Sequence, residues 1–245
     1  MTRSRVLLAL LLVASASLAA QPKKEKKPKE PVKLVDSGSF GVYVNGRRVA
    51  TENFKIEERP SVKVISSELK VEDGSDAAHT AELQLAPNGN SREYHWRELR
   101  PGKAENIVKF EENFISQSVA LKPEDKPRNL SYILPATTLV LDDYFFSHVE
   151  VLLWRYMASS CDMARRTCDM KKTQFGIFVP RREAPAVASM EYRGREKVML
   201  RGAEVELARF ALVIEGDEWG LWMQDTGMKL VRLTIASSNT EVVRD

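Results

Sequence analysis

The chain has 245 residues, 43% of them hydrophobic, with 37 Lys+Arg against 34 Asp+Glu and only two cysteines. From Leu34 onward 29 basic residues stand against 32 acidic ones, so the basic excess belongs to the N-terminal stretch and the remainder is mildly acidic. That balance gives no argument for nucleic acid, which is not expected as a partner, and the length from Leu34 onward suits one well-cored domain.

Residues 1–20 have the three parts of a secretory signal peptide. Arg3 and Arg5 open it, Val6 to Val13 is an unbroken apolar run, and SASLAA supplies small residues for cleavage at Ala19 or Ala20. The run is far shorter than the ~20 residues that span a bilayer, so the cleaved chain is expected to be periplasmic or secreted and not membrane-spanning. The first cysteine is Cys161, which excludes lipidation at a new N-terminus. Residues 21–33, QPKKEKKPKEPVK, carry too little apolar surface to offset chain entropy and predict a disordered Lys/Pro-rich tether. Residues 34–245 are expected to form a single β-rich domain.

Period-two patterning begins at Phe40, Val42 and Val44 and turns at Asn45-Gly46, the strongest short hairpin signal. Ala50, Phe54 and Ile56 return. A strand from Val62 ends before Asp73-Gly74. Ala77, His79, Ala81, Leu83 and Leu85 then share a face, Asn88-Gly89 turns, and Tyr94 and Trp96 share the next face. Ile107–Phe110 and Phe114–Leu121 complete about seven strands of an antiparallel meander. Residues 122–129, KPEDKPRN, read as a loop.

The period then changes. Leu141, Tyr144, Phe145, His148, Val149, Leu152, Leu153 and Tyr156 form an i, i+3, i+4 stripe, which predicts a helix over about 139–158. Thr137 or Thr138 would cap it, and Asp142 and Asp143 would sit in its first turn. Phe146, Val151 and Trp154 make its second edge apolar as well. Cys161 and Cys168 are read as a disulfide. On one continuous helix they would lie ~10 Å apart, beyond the ~7 Å that a bond allows, so a turn is required between them. Strand patterns resume at Phe175–Val179 and continue through Val198, Leu207, Phe210–Ile214 and Leu221–Gln224 to a last strand at Lys229–Ile235. Strands, one helix and more strands predict a mainly β (α+β) fold. The expected form is a curved antiparallel sheet or half-barrel of about ten or more strands, wrapped around one long helix.

Motifs that name a reaction are absent: there is no GxSxG, HExxH, P-loop or GxGxxG, and no two of His79, His95 and His148 have metal-ligand spacing. The expectation is therefore no enzyme, no cofactor and no metal. His148, on the apolar stripe, reads as a hydrogen-bonded core or boundary histidine. The aromatics are more informative. Tyr94, Trp96, Tyr144, Phe145, Phe146, Trp154 and Trp222 are candidate lining residues for an apolar ligand between sheet and helix.

With these segments placed, the chain resembles a group of exported bacterial proteins of unknown function. The matching pieces are FGVYVNGRRVATENFKI (Phe40 to Ile56), LDDYFFSHVEVLLWRY (Leu141 to Tyr156), FGIFVPRREAPAV (Phe175 to Val187) and LWMQDTGMKLVRLTI (Leu221 to Ile235). Through that group it resembles, distantly, the periplasmic lipoprotein carriers, whose half-barrel sheet holds acyl chains over internal helices. The resemblance implies a lipid or other apolar small molecule as partner and brings no catalytic residue with it. The alternative expectation is a cell-envelope interaction module with a filled core, whose partner is an envelope protein.

Overall fold

The computed structural model describes residues 31–72, 78–100, 102–162 and 167–245. The predicted leader, the tether up to residue 30 and the Asp73-Gly74 turn lie outside the described residues. Lys33, assigned above to the tether, instead opens β1 (Lys33–Val44) by pairing with Glu58 of β2 (Arg47–Arg59). Asn45-Gly46 joins them at φ 51° and 76°, the left-handed pair a two-residue hairpin requires. The meander continues through β3 (Val62–Val71), β4 (Ala78–Leu85), β5 (Ser91–Glu98), β6 (Glu105–Phe110), β7 (Ile115–Ala120) and β8 (Arg128–Tyr132). Next come β9 (Leu139–Val140), α1 (Phe146–Ser160) and a small ladder of β10 (Cys161–Asp162) with β11 (Thr167–Cys168). The chain then runs through β12 (Thr173–Val179), β13 (Ala184–Leu200), β14 (Ala203–Ile214), β15 (Asp217–Gln224), β16 (Lys229–Ile235) and β17 (Thr240–Arg244).

Among the described residues fifteen strands form one sheet, in the order β8-β7-β6-β5-β4-β3-β2-β1-β17-β16-β15-β14-β13-β12-β9. The first and last strands pair with each other, so two meanders grow outward from the middle. Every pairing in it is antiparallel except β9 on β12. A mainly β chain with one long helix and a large curved sheet is thus what the sequence patterning produces. The outermost elements of the two meanders meet through side chains. Asn106 and Gln117 both donate to the Pro180 carbonyl, at 3.1 and 2.7 Å. Arg128 pairs with Glu183, and the Tyr132 and Phe178 rings lie 4.9 Å apart. Asn106 and Gln117 are buried, so each of these bonds satisfies a group that would otherwise be costly to bury.

Alternation sorts the side chains. The main core takes Phe40, Phe54, Ile56, Ile65, Leu83, Tyr94, Phe210, Leu212, Leu221 and Leu233 from the strands, and Phe146, Val149, Leu152, Leu153, Tyr156 and Met157 from α1. A second, smaller cluster of Val198, Leu207, Trp222 and Val231 sits apart from it. Among the described residues no helix is long and apolar enough to cross a membrane.

Four sequence expectations need correction. The helix begins at Phe146, not near 139, because Leu139-Val140 is drawn into the parallel pair with β12. Asp142 and Asp143 therefore precede the helix, and neither threonine caps it; its cap residue, Phe145, makes no side-chain bond. The loop at 122–129 is shorter than expected, since Arg128 starts β8. The final strand is not Lys229–Ile235 but β17, which follows a 3-10 turn at Ala236–Ser238. Cys161 and Cys168 face each other across the small ladder with sulfurs 2.11 Å apart, the disulfide read from the sequence.

Candidate functional site

Helix α1 carries polar groups into the core, and Ser147, Glu150 and Tyr156 among them find hydrogen-bond partners there. Its first N–H groups have no partner within the helix, and the Glu52 carboxylate of β2 supplies one. Phe146 N donates to it at 2.7 Å and Ser147 N at 3.4 Å. Glu52 is 0% exposed. Burial pushes its carboxyl up to about 7, even though hydrogen bonds from Ser147, Ser67 and the helix N–H groups pull the other way. Glu150, one turn on, accepts from Leu230 N at 3.2 Å and from Arg244 at 3.3 Å. Burial raises it to about 8 against the attraction of Arg244. Arg244 also binds Asp36 at 2.6 Å and lies over the Phe40 and Phe54 rings. Near the C-terminal end, the Tyr156 hydroxyl donates to Asp169 O and accepts from Tyr192 N, at 3.1 and 3.0 Å. Both meanders therefore hold this helix.

Asp142 has a different role from the one expected. It is fully buried and accepts from the Tyr94 hydroxyl, from Arg181 Nε at 3.1 Å and from Tyr144 N at 3.0 Å. Burial outweighs the Arg181 charge and raises its carboxyl. Tyr94 is pushed well above its ordinary value, first by burial and then by Asp142. This is a filled polar anchor ahead of the helix.

The predicted lining residues separate accordingly. Tyr94, Phe145 and Phe146 are packed into the core, and Trp96 and Trp154 pack against it half-buried. Tyr144 is 51% exposed, with the Arg181 guanidinium 3.1 Å from its ring centre. Trp222 is not brought to the helix. Leu221 and Met223 turn into the main core, so strand alternation points the residue between them the other way. There Arg209 and Arg232 flank its ring.

Open space that borders the helix lies on the flank of α1 facing β3, β4, β5 and β9. A cleft of about 490 Å³ is lined there by Leu83, Leu85, Leu139, Val140, Leu152 and His148 at depth. Lys63, Pro87, Gly89, Val151, Trp154 and Arg155 stand at its rim. His148, Val151, Leu152 and Arg155 are the i, i+3, i+4, i+7 face of the helix. Of the seven aromatics singled out from the sequence, Trp154 alone is in this lining. Its indole donates to Met228 O at 2.6 Å, and Lys63 Nζ lies 5.9 Å from its ring. Gly89, at φ +81°, leaves room for Arg155; a Cβ there would stand 3.3 Å from Nη1. Arg155 donates to Asn90 Oδ1 at 3.1 Å, and burial lowers its pKa. Within hydrogen-bonding range, Val140 N donates to Ser91 Oγ at 2.9 Å, which ties β9 to β5 beneath the cleft.

His148 departs from its expected role as a hydrogen-bonded core residue. It is 1% exposed, and among the described residues neither ring nitrogen has a hydrogen-bond partner. Its nearest rings are Phe145 at 5.7 Å and Tyr94 at 5.8 Å. Burial, aided by the positive charge of Arg181, takes its pKa down to about 3, so the imidazole is neutral. The sequence reading missed Lys63 and Arg155 altogether, and nothing in their local sequence marks them.

No family model and no curated protein sequence matches the chain. Among solved structures it is similar to the crystal structure of a beta-barrel-like protein of domain of unknown function DUF1849 from Brucella abortus, with a TM-score of 0.54. That match covers 88% of this chain and 95% of the other at 8% sequence identity, a likeness of fold.

Proposed function

We propose that this is an exported, periplasmic or secreted protein that holds an apolar or amphiphilic molecule in the cleft beside α1, its sheet acting as a half-barrel around the helix. The observation that carries the reading is the cleft itself. Aliphatic side chains from β4, β9 and α1 floor about 490 Å³ of space beside the main core. Ligand sites commonly run to roughly 300–1,000 Å³ and are mostly apolar with a few polar groups, and this one fits that description. The signal-like pattern of residues 1–20 and the Cys161–Cys168 bond both suit an oxidising compartment outside the cytoplasm. The β-barrel-like fold of the Brucella abortus structure agrees with a curved sheet that surrounds an interior.

The test is native mass spectrometry on the full chain, expressed with its own leader and purified from the exported fraction. A lipid-sized adduct lost on organic extraction is expected, and Val151→Trp, which fills the cleft mouth, should remove it. An unliganded mass in every preparation, with no uptake of added octadecanoate, would overturn the proposal.

A further inference from the structure

The cleft has features that a purely apolar ligand leaves unused. At its rim stand two cations, Lys63 and Arg155. Among the described residues neither is ion-paired with a carboxylate; Lys63 faces the Trp154 ring and Arg155 donates to an uncharged amide. At its depth lies His148, buried, with both nitrogens unpaired among the described residues, in a floor that is otherwise aliphatic except for Ser91, whose Oγ already accepts from Val140 N. Leaving a buried polar group without a partner costs stability unless the native complex supplies one.

Resting on the binding role proposed above, the geometry points to a more definite ligand: a single-chain amphiphile with an anionic head and a hydroxyl partway along its tail. The head sits between Lys63 and Arg155, and the tail follows the helix flank past Val151 and Leu152. His148 and Arg155 are seven residues apart, about two turns, so the hydroxyl belongs ~10 Å along the chain from the head. A neutral imidazole carries one donor and one acceptor, and a hydroxyl is both, so it pairs with whichever nitrogen meets it. A plain hydrocarbon tail leaves that nitrogen unsatisfied. An uncharged head leaves both cations without a counter-ion.

Three probes of equal chain length separate these contributions in calorimetric titrations of the full chain: octadecanoate, the same acid hydroxylated near mid-chain, and octadecanol. The hydroxylated acid is expected to bind about tenfold more tightly than octadecanoate, the worth of one hydrogen bond to a buried group that lacks one. Octadecanol should bind more weakly than either acid. His148→Leu should erase the preference for the hydroxyl while keeping octadecanoate binding, and its melting profile reports that the fold is retained. Lys63→Gln with Arg155→Gln should erase the preference for an acid over the alcohol. Equal affinity for the two acids in the natural chain overturns the hydroxyl assignment, and equal affinity for octadecanoate and octadecanol overturns the anionic head. In both cases amphiphile binding itself survives. Failure of all three probes to bind overturns the binding role along with this inference.

Discussion

At the level of single residues, the buried acids that meet the helix or lie on it give the fold a pH signature. Glu52 holds its proton in the folded chain up to about 7, against an ordinary value of 4.5. Between those two values the unfolded chain has released a proton that the folded chain keeps. Stability therefore falls as pH rises through that window, by at most about 1.4 kcal/mol per pH unit for this group, and levels off above it. Glu150, raised to about 8, extends the decline further. In Glu52→Gln the amide oxygen can still accept from Phe146 N, and the loss of stability between pH 5 and 7 should become shallower. Thermal melts across pH check this; parallel profiles for variant and natural chain would contradict it. Neither acid is legible from sequence, since Glu52 meets Phe146 only through the tertiary fold. His148 was legible as a buried position from the stripe, but its lack of a partner depends on what surrounds it.

The elements were more legible than their ends. The Asn45-Gly46 hairpin follows from turn chemistry alone, and the inward face of β4 follows from alternation. The helix exists where its stripe is strongest, but the stripe runs too far back. Leu141 and Phe145 are apolar because they pack in the core outside the helix, and burial leaves the same mark on a sequence whichever backbone carries it. β17 escaped notice because five residues, TEVVR, give too little pattern. Trp222 was misread from composition when parity with Leu221 and Met223 would have turned it outward. The disulfide secures the ladder that follows α1, where Cys161 N also bonds Met157 O at the helix end. Replacing both cysteines with serine should cost about 2–3 kcal/mol in the chain-entropy model, read as a lower denaturant midpoint with the circular dichroism spectrum kept. An unchanged midpoint would mean that the ladder forms without the bond.

For the molecule as a whole, the meeting of its two outermost edges rests on a few side chains rather than on a ladder of strand bonds. Pro180 O accepts from both Asn106 and Gln117. The double variant Asn106→Ala, Gln117→Ala removes both donors and should destabilise by about 2–4 kcal/mol. Hydrogen exchange should then speed up first in β6–β8 and β12. A uniform loss of protection would instead mean that this contact is no weaker than the rest. The cleft was beyond sequence reading for a related reason. Its walls come from β3, β4, β5, β9 and α1, of which only β9 lies near the helix in the chain, and its largely aliphatic floor looks like any core.

The same technique tests the central claim most directly. Hydrogen exchange is followed on the full chain with and without octadecanoate. Protection should rise in residues 83–91 and 148–159, which border the cleft, and stay unchanged across β14–β17. Protection that appears only in β14–β17, or nowhere, would place the ligand outside the cleft or remove it altogether.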